Sequence, residues 1–171
     1  MARVNTQRTV LVALAVVVPI LAALAVGLAG FRWYSAAHDE SLAQAQQRET
    51  VLRQAEQAAI NLNTLDYRNV EQGLKLWQRS TTGALHDELS SNAKRYAQVI
   101  GQGKVKTQAE VKGSAVKRLN PASQTAVVLI GIDVTVIPDS GKPTAKRERL
   151  RLTMSNTPQG WKASRVQAIQ A

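Results

Sequence analysis

Hydrophobic positions change their spacing twice along the chain. Across 10–31 they run on with no charge among them. Across 35–62 they recur every three, four or seven residues, and from residue 104 onward they alternate. These are the patterns of a membrane span, of amphipathic helix and of half-buried strand. At a rise of ~1.5 Å per residue the apolar run makes a helix of about 33 Å, against a hydrocarbon core of ~30 Å. The expected organisation is a tail at 1–9, a transmembrane helix at 10–31, a juxtamembrane helix at 32–62 and the remainder of one α+β domain at 63–171.

The flanks of the span give it a direction. Arg32, Trp33 and Tyr34 follow the apolar run. Trp and Tyr favour the headgroup layer, having an apolar body and a polar edge, so these three are expected to anchor the membrane interface. The tail holds Arg3 and Arg8 and no acid, while Arg32 and Arg48 lie beyond the span. With the α-amino group, this balance tips towards a cytoplasmic tail and an extracytoplasmic domain. Pro19 sits mid-span, where lipid-buried helices tolerate proline. The competing reading is a cleaved signal peptide with a small-x-small site at Ala23-Leu24-Ala25, although the run exceeds a usual signal core.

Beyond the span, Leu42, Ala45, Leu52, Ala55, Ala59 and Leu62 mark one helix face. Glu49 interrupts that stripe, which predicts that its membrane-proximal half stands clear of the core. The segment 64–69 breaks the period, and Asn69 is the expected N-cap of a short helix carrying Val70, Leu74 and Trp77. Turn chemistry at 80–83 precedes a third helix with Leu85, Leu89, Tyr96 and Ile100 inward. Gly101-Gln102-Gly103 is expected to end it through a left-handed glycine. Then Val105, Thr107, Ala109 and Val111 alternate with polar residues, Gly113 suggests a bulge, and Asn120-Pro121 turns the chain. TAVVLIGIDVTVI, at 125–137, is the strongest strand. A loop at 138–143 leads to a strand at 144–155. Its Leu150, Leu152 and Met154 share one face, and Arg147, Arg149 and Arg151 share the other. A last short strand, 161–169, slips phase once, which predicts a bulge. Three helices followed by four strands on short turns is an α+β order, with helices covering one face of a curved antiparallel sheet.

Charge narrows the classes of partner. The chain is 171 residues long with 22 Lys and Arg against 12 Asp and Glu, net +10, and only Arg3, Arg8 and Arg32 lie before residue 35. A basic domain beside a bilayer is drawn to anionic lipid or to an acidic partner, or is simply kept soluble by its charge. Nucleic acid is not expected, because the few aromatic residues are not interleaved with basic ones. The absence of cysteine rules out disulfides, thiolate catalysis and a lipidated cysteine.

Catalytic candidates are few. Asp66 and Asp133 lie in apolar or aromatic surroundings, where an acid can be tuned for proton transfer. Asp66 is equally placed to cap a helix, and Asp133 to pair across strands. His86 stands beside Asp87 and Glu88 on a polar helix side and reads as a surface residue, as does His38. No zinc signature, nucleophile elbow, phosphate loop or dinucleotide-binding glycine pattern is present. No catalytic residue, cofactor or metal is therefore expected. The Arg147, Arg149, Arg151 stripe is a candidate contact for carboxylates or lipid headgroups, or else the wet side of an edge strand.

One block of sequence resembles a family. NLNTLDYRNVEQGLKLWQRSTTGALHDELSSN, at 61–92, is similar to the signature block of the actinobacterial Mce-associated membrane proteins. It carries Thr64, Asp66, Tyr67 and Arg68 before a short helix, then the Thr82-Gly83 turn. The strand beginning Ala126-Val127-Val128, the Arg-Leu-Arg-Leu-Thr run at 149–153 and Gly160-Trp161 follow in the same order as in that family. The shortness of the 138–143 loop is a departure. The resemblance implies a nuclear-transport-factor-2-like cone, three helices against a bent four-stranded sheet. It also implies a non-enzymatic accessory role beside subunits of a mammalian-cell-entry (Mce) type lipid or sterol importer. The alternatives are a scaffold subunit of a conjugation or type IV secretion channel, and a cavity enzyme or binder of a small apolar ligand.

Overall fold

The computed structural model describes the backbone of residues 3–169 and the side chains of residues 26–35 and 41–169. Helix α1 covers Arg3–Asn63. Two compact units divide the chain, Met1–Gln46 and Gln47–Ala171.

In the first unit, the side chains of the predicted tail and of most of the predicted span, with His38, lie outside the described residues. Among the described residues no helix is long and apolar enough to cross a membrane. Where the apolar run ends, Val26, Leu28 and Phe31 are strongly exposed, as are Trp33 and Tyr34 of the expected anchor. The Ser35 hydroxyl donates to the Arg32 carbonyl at 3.1 Å. Leu42 is 58% exposed, so the stripe begins outside any core.

The second unit is built on one antiparallel sheet in the order β1-β2-β3-β4-β5. Its strands are β1 Leu65–Asp66, β2 Val105–Asn120, β3 Thr125–Pro138, β4 Thr144–Thr157 and β5 Gly160–Ala168. Between β1 and β2 come a 3-10 turn, Tyr67–Asn69, and the helices α2 Val70–Ser80, α3 Gly83–Ser91 and α4 Ala93–Gly103. The expected α+β class and antiparallel connections are present, with two corrections. The sheet has five strands rather than four, because two residues of the period-breaking segment pair with Thr107 and Lys106. The third helix is two, broken at Asn92 (φ −97°, ψ 7°), which is the C-cap of α3 and the N-cap of α4. Lys104, at φ 47°, takes the left-handed position expected of a glycine after α4.

Alternation along β3 and β4 decides which face is buried. Val128, Ile130 and Ile132 of β3 and Leu152 and Met154 of β4 are almost wholly removed from solvent. They meet Val51, Ala55, Ala58 and Ala59 of α1 in one cluster, which Trp161 and Ala163 of β5 complete. Large residues on the sheet face small ones on the helix, which lets the two layers approach closely. Each large aliphatic side chain buried this way contributes roughly 1.5–3 kcal/mol. Val51 and Ala58 belong to this face although the predicted stripe omits them. Glu49 turns to solvent and pairs with Arg53.

Bulges shape the sheet. Register slips between Val111 and Gly113 and again between Val116 and Arg118 on β2, and opposite Thr153 and Met154 on β5. The first and third match the expected irregularities at Gly113 and in the last strand. Each extra residue bends its strand and raises the local twist.

Candidate functional site

The residues of the 61–92 block converge on two joints. At the first, Asp66 Oδ1 accepts the Arg68 N–H at 2.9 Å and so caps the 3-10 turn. Its Oδ2 lies 4.0 Å from Lys106 Nζ on β2. The Tyr67 hydroxyl donates to Asp139 Oδ1 in the β3–β4 loop. Arg68 donates from Nε to the Tyr67 oxygen at 3.0 Å and from Nη2 to Asp139 Oδ1 at 2.9 Å. The guanidinium carbon also lies 5.0 Å from the Tyr67 ring centroid, within cation–π range. The Asp139 N–H donates to the Lys104 carbonyl at 3.0 Å. This clasp ties the segment after α1 to the far end of the β3–β4 hairpin.

The clasp's ionisation follows from its hydrogen bonds. The Tyr67 hydroxyl and then Arg68 hold the Asp139 carboxyl below its ordinary range, against partial desolvation. The same bond to Asp139 pushes the Tyr67 phenol up, and the Tyr67 oxygen followed by Asp139 pushes Arg68 up. Thr64, Leu65 and Asp66 also line an open cleft of about 250 Å³ with Gln72, Gly73 and Lys106. A Cβ at Gly73 would lie 2.4 Å from Leu65 Cδ1, so the buried Leu65 side chain would have to shift to admit one. Asn69 stands at the expected N-cap position without a capping bond, its amide donating to Gln72 Oε1 at 2.5 Å.

The second joint fixes α2 and α3 to β5. Thr81 is 2% exposed, and its hydroxyl donates to the Trp77 carbonyl at 2.9 Å. The Thr82 N–H donates to the Ala163 carbonyl at 3.0 Å, and Gly83 opens α3 at φ 59°, which glycine adopts without strain. Trp161 is 7% exposed, and its N–H donates to Gln54 Oε1 at 2.5 Å. His86 is no free surface residue. It is half-buried, and its Nδ1 lies 3.0 Å from the Gln78 carbonyl. A carbonyl only accepts, so Nδ1 carries the proton and is spent on joining α3 to α2.

The arginine stripe lies on the outer sheet face, opposite the core, but β4 is not an edge strand. β5 covers it from Leu150 onward, leaving only its first residues at an edge. Arg147 grips Asp133 from Nε and Nη2 at 2.7 and 2.9 Å, and this holds the Asp133 carboxyl below its ordinary range. Asp133 is therefore a cross-strand partner. Arg149 borders an open groove of about 350 Å³ above Gly113 and Gly131. Arg151 has its Nε shut from solvent without an acceptor.

Both acid candidates are thus engaged by bases, far from each other in the sheet register. Among the described residues no group of three His, Cys, Asp or Glu side chains is placed to hold a metal ion. Two contributors escaped the sequence reading. Asp139 looked like loop punctuation, and Gln54 like one polar residue among many on α1.

An α+β unit of this kind, helices against one face of a curled five-stranded antiparallel sheet, is the fold of VirB8-type domains. The periplasmic domain of DotI superposes with a TM-score of 0.59 at 18% identity, over 71% of this chain and 94% of that one. An IcmL-like type IV secretion system protein from Legionella pneumophila gives 0.58 at 17%, over 72% and 94%. VirB8 of Agrobacterium tumefaciens gives 0.57 at 15%, over 74% and 94%. In sequence, residues 9–170 match the model of the family described as "Uncharacterized protein Rv1363c/MT1408-like", and the chain belongs to that family. A relative, "Uncharacterized protein Rv1363c" of Mycobacterium tuberculosis (strain ATCC 25618 / H37Rv), is 28% identical over 168 residues, 98% of this chain. The chain spans 62% of that relative's length. None of these descriptions names a lipid importer.

Proposed function

We infer that the protein is a non-enzymatic scaffold, held at a membrane by its N-terminal apolar helix, with its α+β domain on the extracytoplasmic side. There it helps assemble an envelope transport machine of the type IV secretion or conjugation kind. The observation that carries this reading is the shared fold. It recurs among secretion-system proteins and covers nearly the whole of each compared domain. Its chemistry agrees with a scaffold, since the motif residues are consumed by joints between elements and the candidate acids by ion pairs. A fold alone does not specify activity, so the assignment rests on what the domain would recover from the membrane.

A second reading has its own support. The order of Thr64, Asp66, Tyr67, Arg68, Thr82 and Gly83 resembles the Mce-associated membrane proteins, which favours an accessory of an Mce-type lipid or sterol importer. One experiment separates the two. The tagged full chain is cross-linked in intact membranes, solubilised and purified, and its partners are identified. Secretion or conjugation subunits support the first reading, and importer subunits without them replace it with the second. Recovery of the chain alone, with its domain digested by protease added to the cytoplasmic side only, removes both.

A further inference from the structure

The outer face of the sheet carries a pattern that the joints do not explain. Residues paired across antiparallel strands share a face, so the register sorts its side chains into rows. In one row Gly113 and Gly131 lie side by side next to Arg149. Ile169 closes that row, its N–H donating to the Arg149 carbonyl at 2.8 Å. The next row sets Leu129 beside Arg151. The third places Arg118 next to Val127 and ends, on β5, at Arg165. Two adjacent glycines leave a trench between apolar walls, the groove of about 350 Å³. Arg149 lines it, and Arg151, Arg118 and Arg165 stand in the next two rows of the same face.

No acid stands in these three rows. Asp133 and Glu110 lie one row away, and are engaged by Arg147 and Lys112. Arg118, Arg149, Arg151 and Arg165 have no ion-pair or hydrogen-bond acceptor among the described residues. Arg151 shows the deficit most sharply, its Nε having lost water and gained nothing. All four bases are arginines, whose planar fork grips carboxylates two bonds at a time.

We propose that this face docks an acidic, amphipathic helical segment of a partner protein. Its apolar side chains fill the Gly113–Gly131 trench, and its carboxylates engage Arg149, Arg151 and the flanking Arg118 and Arg165. The dimensions agree. Strands are spaced ~4.8 Å apart and alternate residues along a strand ~6.8 Å, so Arg118 and Arg165 stand about 14 Å apart with Arg151 between and beside them. A helix offers side chains of one edge every ~5–6 Å at i, i+3 and i+4. The floor beside Arg149, at Gly113 and Gly131, is recessed to backbone, which receives protruding side chains. A bilayer surface would meet the guanidiniums and leave that recess empty. The inference takes from the scaffold reading only that the occupant is a protein. Partner recovery tests that reading, and binding to a defined peptide tests this face, so the two fail separately.

The test uses the full chain in nanodiscs of zwitterionic lipid and a fluorescein-labelled peptide of about four helical turns. The peptide carries Glu along one edge and Leu along the adjoining face, and its twin carries Gln for Glu. Anisotropy is expected to show salt-sensitive binding of the Glu peptide, weakened at least about tenfold in the twin. Arg149→Gln with Arg151→Gln should weaken it by a similar factor. Gly131→Val should do so too by filling the trench with all charges intact. The position accepts a side chain, because a Cβ there meets only the Gly113 carbonyl oxygen, at 3.8 Å, in ordinary contact. Arg147→Gln, removing a base already held by Asp133, should leave affinity unchanged. Absence of binding, equal binding of both peptides, or indifference to Gly131→Val in a protein with an unaltered melting curve overturns the proposal. So does co-flotation with phosphatidylglycerol vesicles that Arg149→Gln with Arg151→Gln abolishes while peptide binding persists.

Discussion

Gly160→Ala, at the half-buried first residue of β5, is expected to be costly for a reason spread over two elements. Gly160 has φ 100°, a region that residues with a Cβ rarely enter. Such backbone strain costs of order 1–3 kcal/mol. The added methyl would also lie 2.9 Å from Gln54 Nε2 and 3.0 Å from Oε1. Gln54 would have to move, and its oxygen would leave the Trp161 N–H that it accepts at 2.5 Å. Losing that bond adds about 1 kcal/mol, for a sum of about 2–4 kcal/mol. With an unfolding entropy of ~2.1 cal/mol/K per residue over Gln47–Ala171, that sum lowers Tm by roughly 8–15 °C. Calorimetry of the full chain in mild detergent reads it directly. Gln54→Ala removes the collision along with the acceptor, so Gly160→Ala on that background should cost about 1 kcal/mol less than on the parent. A Tm within about 1 °C of the parent, or strict additivity of the two changes, refutes the account.

Three further outcomes follow from other parts of the domain. Leu152→Ala, at a site with no solvent exposure, should cost about 2–5 kcal/mol by urea unfolding, while Val99→Ala, 60% exposed on α4, should stay within about 0.5 kcal/mol. Thr81→Val leaves the Trp77 carbonyl without its hydroxyl donor inside the second joint and should cost about 1 kcal/mol in the same assay. Asp139 has a folded pKa below its unfolded value of 3.8, so the clasp's contribution is full above that value and is lost as pH falls through the folded one. The Tm gap between the parent and Asp139→Asn should therefore be open at pH 7 and narrow progressively as pH falls below 3.8; a gap that stays constant on acidification would show the aspartate acting by something other than its charge.

The strand half of this domain was legible because alternation survives in β3 and β4, where Ile130, Ile132, Leu152 and Met154 face the core as their spacing says. What was lost lies where local pattern and tertiary pairing part. Leu65 and Asp66 form a strand only because β2 lies beside them, and two residues show no period. Asn92 breaks a helix that its neighbours would continue, and Lys104 adopts a left-handed conformation next to an available glycine. Arg118 and Arg165 could not be assigned to the same face as Arg149 from spacing. An extra residue at Lys117 and another at Ser164 reverse the parity between them. The arginines of β4 were visible as a stripe, and the face they belong to was not.

This division bears on how kinship and function are written in the chain. Asp66, Tyr67 and Arg68 close the clasp onto Asp139, while Thr82, Gly83 and Trp161 close the joint between α1, α3 and β5. Each is a residue that the fold requires at that place, for a cap, a left-handed backbone or a buried ring. Likeness in such residues marks chains that build their helices and sheet in the same way, and says little about what the finished surface meets. The outer rows are under no such demand. The sheet would pair equally well with lysine, threonine or glutamate at Arg118, Arg149 or Arg165, and with valine at Gly131, where β-branched residues are the better strand formers. Arginines without partners around a trench of paired glycines oppose the ordinary preferences of a sheet face, since they add like-charge repulsion and give up side-chain packing. A feature that costs the isolated domain stability is offset when something docks there. The choice between machines is therefore to be sought in the charge pattern of the outer face rather than in the motif block.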